Sequence, residues 1–92
     1  MNYANIVSEL EELARQLTIN IRYEKGDFEG GYCILKDQKV VVINKRLLDS
    51  RKAVALALAL ADYGIETTFI KPNLRSFIDD ELAKLRRVEK TL

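Results

Sequence analysis

The sequence predicts an α+β domain in which a small, mostly antiparallel sheet of three or four strands packs with three helices. Its length of 92 residues leaves room for one hydrophobic core, so we expect residues 1–92 to form a single domain. Hydrophobic residues make up 48% of the chain and charged residues 32%, which is typical of a globular protein. The apolar residues follow a helical period, then a period of two, then a helical period again.

The first predicted helix covers residues 3–17. Its apolar residues recur at helical spacing and form one stripe: Tyr3, Ile6, Val7, Leu10, Leu13, Ala14 and Leu17. From Thr18 the period changes to two, because Ile19, Ile21 and Tyr23 alternate with polar residues, and this predicts a strand. Residues 25–31 include three glycines and are predicted to form a loop.

Two apolar runs, 32–36 and 39–44, are separated only by Asp37 and Gln38. This spacing predicts a tight antiparallel hairpin. Residues 40–43 are apolar at every position, which is typical of a strand covered on both faces.

The second predicted helix covers residues 51–63, with Asp49 or Ser50 as its cap and Gly64 as its stop. Its alternation of alanine and leucine favours a helix over a strand, because alanine disfavours strands. Val54 and Leu58 fall on one side of the helix and Leu56, Leu60 and Tyr63 on the opposite side, so we expect it to pack between two layers.

Residues 67–70 are candidates for a short fourth strand, and Pro72 marks the start of the last helix, predicted over 73–90. This helix carries one apolar stripe, formed by Leu74, Phe77, Ile78, Leu82, Leu85 and Val88.

The composition excludes several classes of function. The chain contains no histidine, which excludes the usual catalytic triads, histidine-ligated zinc and imidazole acid–base chemistry. The net charge of +1 gives no chain-wide attraction to nucleic acid or membranes.

Three features of the sequence bear on the compartment and on membrane association: the first residues, the longest apolar run and the cysteine content. The first residues lack the basic and apolar regions of a signal peptide. The longest apolar run, residues 53–61, is too short to cross a bilayer. The single cysteine, Cys33, lies in an apolar strand and is expected to be an unreactive core thiol. We therefore expect a cytoplasmic protein with no membrane partner.

One segment resembles a known family. An apolar strand ending in Ile43-Asn44, then Leu47, Arg51 and the helix Ala55–Asp62, is similar to the strand and active-site helix of the ImmA/IrrE-type zinc metallopeptidases. The resemblance covers residues 18–64. It implies that Leu58, Ala59 and Asp62 stand where that family has its first histidine, its glutamate and its second histidine. Since zinc catalysis needs two imidazoles and a carboxylate, the resemblance implies a relative without metal, cofactor or catalytic residues.

Basic residues are concentrated in residues 36–52, where six of them stand against two acidic residues. They are candidate contacts for an anion or nucleic acid: Lys36, Lys39, Lys45, Arg46, Arg51 and Lys52. Lysines at strand ends also discourage edge-to-edge pairing, and this structural explanation is the preferred one.

The sequence is therefore interpreted as a small, non-catalytic interaction module. A chain of this length has difficulty covering three apolar helix stripes and a doubly apolar strand, so we expect a homodimer, with an unidentified protein as a further partner. The last helix is the expected interface, through Leu82, Leu85 and Val88. The alternative is a weak anion or nucleic-acid binder that uses residues 36–52.

Overall fold

The computed structural model describes residues 2–91, and their side chains as far as Arg87. The chain forms three helices and three strands, in the order α1 Tyr3–Gln16, β1 Asn20–Glu24, β2 Gly30–Leu35, β3 Gln38–Asn44, α2 Asp49–Tyr63 and α3 Pro72–Thr91. The α+β class is confirmed. The finer expectations about the sheet are not, and they are corrected below.

Helix α1 begins at an asparagine cap and buries one face. The side chain of Asn2 accepts a hydrogen bond from the backbone N–H of Asn5 at 3.2 Å, which satisfies one of the donors left open at a helix start. The buried stripe of α1 consists of Val7, Leu10, Leu13 and Ala14. Its polar side faces solvent, so burial of one face holds the helix on the domain.

The sheet is mixed and three-stranded, with β3 in the centre and the order β1-β3-β2. Strand β1 pairs with β3 in parallel, whereas β2 pairs with β3 antiparallel. The expectation of a mostly antiparallel sheet is therefore wrong for β1. The cause is the connection 25–29, which carries the chain across the end of β3 and leaves β1 and β2 on opposite sides of it.

The expected fourth strand at 67–70 is not formed, and this segment is a turn followed by irregular backbone. Within this segment, the carbonyl oxygen of Thr68 accepts from the Arg75 guanidinium at 2.6 Å, and the same guanidinium donates to the carbonyl oxygen of Ile65, just before the segment, at 2.9 Å. Hydrogen bonds from an arginine side chain satisfy backbone carbonyl groups that a neighbouring strand would otherwise satisfy.

Helices α1 and α2 pack against the sheet, and α3 packs against α2. Val41 and Ile43 join the hydrophobic cluster that contains residues of all three helices, and Val40 and Val42 do not. Val40 is nevertheless buried, and its partners in the ladder are Asn20 and Cys33. Val40 and Val41 point to opposite faces of β3 and are both buried, so both faces are covered at these positions, whereas the hydrophobic cluster shared with the helices includes, from β3, only Val41 and Ile43.

Helix α2 lies at the centre of the core. Leu56 and Leu60 are fully buried, and the small residues beside them are buried too: Ala53, Ala55, Ala57 and Ala59. Val54 and Leu58 are only half-buried, so the predicted packing between two full layers is corrected to burial of the Leu56/Leu60 side and the alanine flanks. Leu48, not Asp49 or Ser50, occupies the cap position, and its side chain makes no capping hydrogen bond.

Candidate functional site

An open groove runs beside β2, between this strand and helices α2 and α3. We call it the β2 groove. Its lining is mostly hydrocarbon and consists of Glu29, Gly30, Gly31, Tyr32, Ala55, Leu58, Ala59, Ala61, Asp62, Leu82 and Leu85. Such a surface is suited to contact with apolar side chains.

Gly30 shapes the floor of this groove. A Cβ atom at this position would lie 2.7 Å from Ile43 Cδ1 and 2.7 Å from the Val42 carbonyl oxygen. It would also lie 3.5 Å from the Ala55 Cβ. The absence of a side chain therefore lets β2 lie close to the core and to α2. At Gly31, by contrast, an added Cβ would meet no atom within 4 Å.

The three residues at the metallopeptidase-like positions, Leu58, Ala59 and Asp62, all line the β2 groove. Leu58 is half-buried, Ala59 is buried and Asp62 is exposed. The second carboxylate of the groove, Glu29, is bound by the Arg51 guanidinium. Within the described part of the chain, no three His, Cys, Asp or Glu side chains come together in a way that could hold a metal ion.

Two of the three predicted interface residues also line the β2 groove. Leu82 is half-buried against the core, and Leu85 is 43% exposed. The side chain of Val88 lies outside the described residues. The structure thus places the predicted contact surface of α3 beside the edge of β2, a neighbour that helical periodicity could not reveal.

Among residues 2–91, strand β2 has β3 on one side and no strand on the other. Its residues, Gly30–Leu35, include no charged residue and no proline, and Ile34 and Leu35 are 64% and 47% exposed. The opposite edge strand, β1, differs because Arg22 and Glu24 pair on it at 2.6 Å. Charges are a common protection of exposed strand edges, and β2 lacks them. Sequence analysis missed this edge, although the uncharged stretch of residues 30–35 was a visible signal.

The basic residues of segment 36–52 do not form one surface. Lys39 Nζ donates to the Leu17 carbonyl oxygen at 2.7 Å and to the Tyr63 hydroxyl at 3.2 Å. Arg51 binds Glu29, and the Lys52 Nζ lies 5.5 Å from the centre of the Tyr23 ring. Three of the six candidates therefore have partners within the domain.

The other three candidates are exposed but divided between two ends of the sheet. Lys36 lies in the turn before β3, and Lys45 and Arg46 follow its last residue. The 7 residues of β3 separate them. At about 3.3 Å per residue, this separation is roughly 20 Å.

In the sequence, Asn44 was identified only as the last residue of a predicted strand. It is 9% exposed, and its Nδ2 donates to the carbonyl oxygens of Gly26 at 2.7 Å and Phe28 at 2.8 Å. Its Oδ1 accepts from the Arg46 backbone N–H at 3.0 Å. Asn44 thereby fixes the connection that leads the chain into β2 and the groove.

A second, partly buried polar contact joins α1 to the sheet. The Tyr23 hydroxyl donates to the Glu11 carboxylate. Burial, and then this hydrogen bond and the negative charge of Glu11, raise the pKa of the Tyr23 hydroxyl well above its usual value. Arg51 is affected in the same direction, since its hydrogen bond to Glu29 raises the guanidinium pKa.

Two further findings concern the chain as a whole. None of the helices within residues 2–91 has the length and apolar character needed to span a membrane. No family model, curated protein or solved structure matches this chain.

Proposed function

We propose that this protein is a small, non-catalytic interaction module that self-associates through the free edge of β2. The observation that carries the proposal is this edge itself, an uncharged six-residue strand with exposed Ile34 and Leu35 beside an apolar groove. The unpaired N–H and C=O groups of an edge strand are available to another strand.

A second copy of the chain is the partner that fits this edge. It offers an identical uncharged strand, and two identical edge strands can pair antiparallel about a two-fold axis, which is the commonest symmetry of soluble oligomers. The other sheet edge, β1, is less suited to pairing, because it carries the charged side chains of Arg22 and Glu24, and charges discourage pairing between edge strands.

The residues of α3 that the sequence predicts as interface residues lie at this same surface, which supports the proposal. Leu85 is 43% exposed and lines the β2 groove together with Leu58. A strand added to β2 would cover part of this hydrocarbon. Burial of apolar area contributes about 25 cal/mol per Å², so the groove adds to the backbone hydrogen bonds of the edge.

Analytical ultracentrifugation from low micromolar to high micromolar concentration tests the proposal. We expect the sedimenting mass to rise from one chain to two. Ile34→Lys places a charge on the exposed edge of β2 and should shift the equilibrium to the monomer. Because Ile34 is 64% exposed, the variant should keep its fold, and thermal unfolding checks this.

The matched control is Asn20→Lys, which adds the same charge at the exposed start of the opposite edge strand. It should leave the dimer intact. A monomer mass at every concentration, or a dimer that Ile34→Lys leaves unchanged, would show that β2 does not mediate self-association.

A further inference from the structure

We infer that the two copies pair in one register, with Tyr32 of both chains on the two-fold axis and Ile34 of each chain opposite the partner's Gly30. This inference rests on the proposed function and specifies its contact. It follows from the backbone hydrogen bonds of β2, from the side on which Ile34 lies, and from the shape of the β2 groove.

The hydrogen bonds to β3 decide which residues of β2 face the free edge. The backbone N–H of Asn44 donates to the Glu29 carbonyl oxygen at 2.9 Å, so these two residues form a hydrogen-bonded pair of the antiparallel ladder. Such pairs alternate along a ladder, and the register continues with Gly31 opposite Val42 and Cys33 opposite Val40. The backbone groups of the alternate residues, Gly30, Tyr32 and Ile34, therefore point to the free edge.

This alternation limits the registers open to a symmetric pair. A hydrogen-bonded pair between the copies needs outward-facing residues in both strands, so the axis lies on an outward-facing residue or on one of the inward-facing residues Gly31 and Cys33. With Gly31 on the axis, Ile34 would have to pair with the partner's Phe28, which lies outside β2. With Tyr32 on the axis, all three outward-facing residues of each strand find partners. With Cys33 on the axis, Gly30 would have to pair with the partner's Lys36, which lies in the hairpin turn and has a φ of 50°. The register centred on Tyr32 thus makes the fuller ladder.

The side chains favour the same register. Tyr32 packs edge-on against Tyr63, with ring centres 5.3 Å apart, so its side chain lies on the helical side of the sheet. Ile34, two residues further, lies on that side too and is 64% exposed. Opposite the partner's Gly30, it would enter the part of the groove where β2 has no side chain. Leu58 and Leu85 line that part of the molecule.

The single cysteine distinguishes the registers. In an antiparallel ladder, two residues that lie opposite each other without sharing hydrogen bonds have Cα atoms about 4.5 Å apart, a distance that suits a disulfide. Residues that are diagonal neighbours are about 7–8 Å apart, which is beyond the usual reach of a disulfide. In the proposed register, Cys33 is opposite the partner's Gly31 and diagonal to the partner's Cys33. In the register centred on Cys33, the two native cysteines are opposite each other.

The experiment mixes the native chain with a Gly31→Cys/Cys33→Ser variant, concentrates the mixture and oxidises it. Gly31 tolerates a side chain because an added Cβ meets no atom within 4 Å. Non-reducing electrophoresis and intact mass then identify the products. We expect a disulfide between one native and one variant chain, and little between two native or two variant chains. An Asn20→Cys/Cys33→Ser chain mixed with the native chain is the matched control on the other edge and should remain uncrosslinked.

The outcomes separate this inference from the proposed function. A monomeric mixture in the ultracentrifuge contradicts the proposed self-association itself. A dimer crosslinked mainly between two native or two variant chains contradicts the register. A dimer that forms no disulfide in the mixture contradicts pairing through β2 in this register, and the mixed disulfide supports it.

Discussion

Asn44 makes three hydrogen bonds from one buried side chain, two to the connection between β1 and β2 and one to the backbone of Arg46. Asn44→Ala would leave the carbonyl groups of Gly26 and Phe28 without this donor. We expect the free energy of unfolding to fall by about 1–3 kcal/mol, since a typical intramolecular hydrogen bond contributes about 0.5–1.5 kcal/mol and the carbonyl groups lie on exposed residues. Urea denaturation measures it. Asn20→Ala, at an exposed position, is the control, and equal stability of the two variants would contradict the role assigned to Asn44.

Because of Tyr23, the stability of the folded protein depends on pH in the alkaline range. Its folded-state pKa is raised above the ordinary value, so the protonated phenol stabilises the folded state. This contribution is complete below the unfolded-state pKa of about 10 and is lost as the pH rises above it. We expect the native chain to lose stability above pH ~10 more steeply than Tyr23→Phe. Tyr3→Phe is the control, and parallel pH profiles for the native chain and Tyr23→Phe would contradict this prediction.

At the scale of elements, helix α2 offers a direct test of how the core is built. Leu60 is fully buried and Leu58 is half-buried at the β2 groove. We therefore expect Leu60→Ala to lower the free energy of unfolding by about 2–5 kcal/mol, and Leu58→Ala by clearly less. Thermal or urea unfolding of both variants measures the difference. Equal losses would mean that the side of α2 bearing Leu58 is as enclosed as the side bearing Leu60.

The helices could be predicted from the sequence because each has its own apolar period. The last helix begins at Pro72, one residue before the predicted start, and α1 ends one residue earlier than predicted. Strand order could not be predicted in this way, since a period of two shows which residues share a face and not which strands are neighbours.

The hairpin turn and the proposed contact surface show the same limit. The turn lies at Lys36 and Asp37, both with positive φ, one residue before the predicted pair, because this placement keeps Leu35 opposite Gln38. Leu82 and Leu85 were identified from the stripe of the last helix. The edge of β2 was not, because a strand becomes an edge only when the whole sheet is arranged.

At the scale of the whole molecule, the positions of the basic residues bear on the alternative function. Lys36 is separated by the length of β3 from Lys45 and Arg46, and the remaining three bases have partners in the domain. We expect at most weak binding to nucleic acid. Each phosphate contact adds about −0.9 to the slope of log affinity against log salt, so that slope should be no steeper than about −2.7. Fluorescence anisotropy with a labelled duplex measures it, and a slope near about −5 would show that all six bases bind.

The route of the chain through the sheet also sets the order of events in folding. Strands β2 and β3 are joined by a two-residue turn, whereas the parallel ladder joins Asn20 to Val40 across the whole hairpin. Closing the longer loop costs more entropy, so contacts between β1 and β3 should form after the hairpin. Substitutions that weaken the turn at Lys36 should therefore slow folding, whereas substitutions in β1 should chiefly speed unfolding.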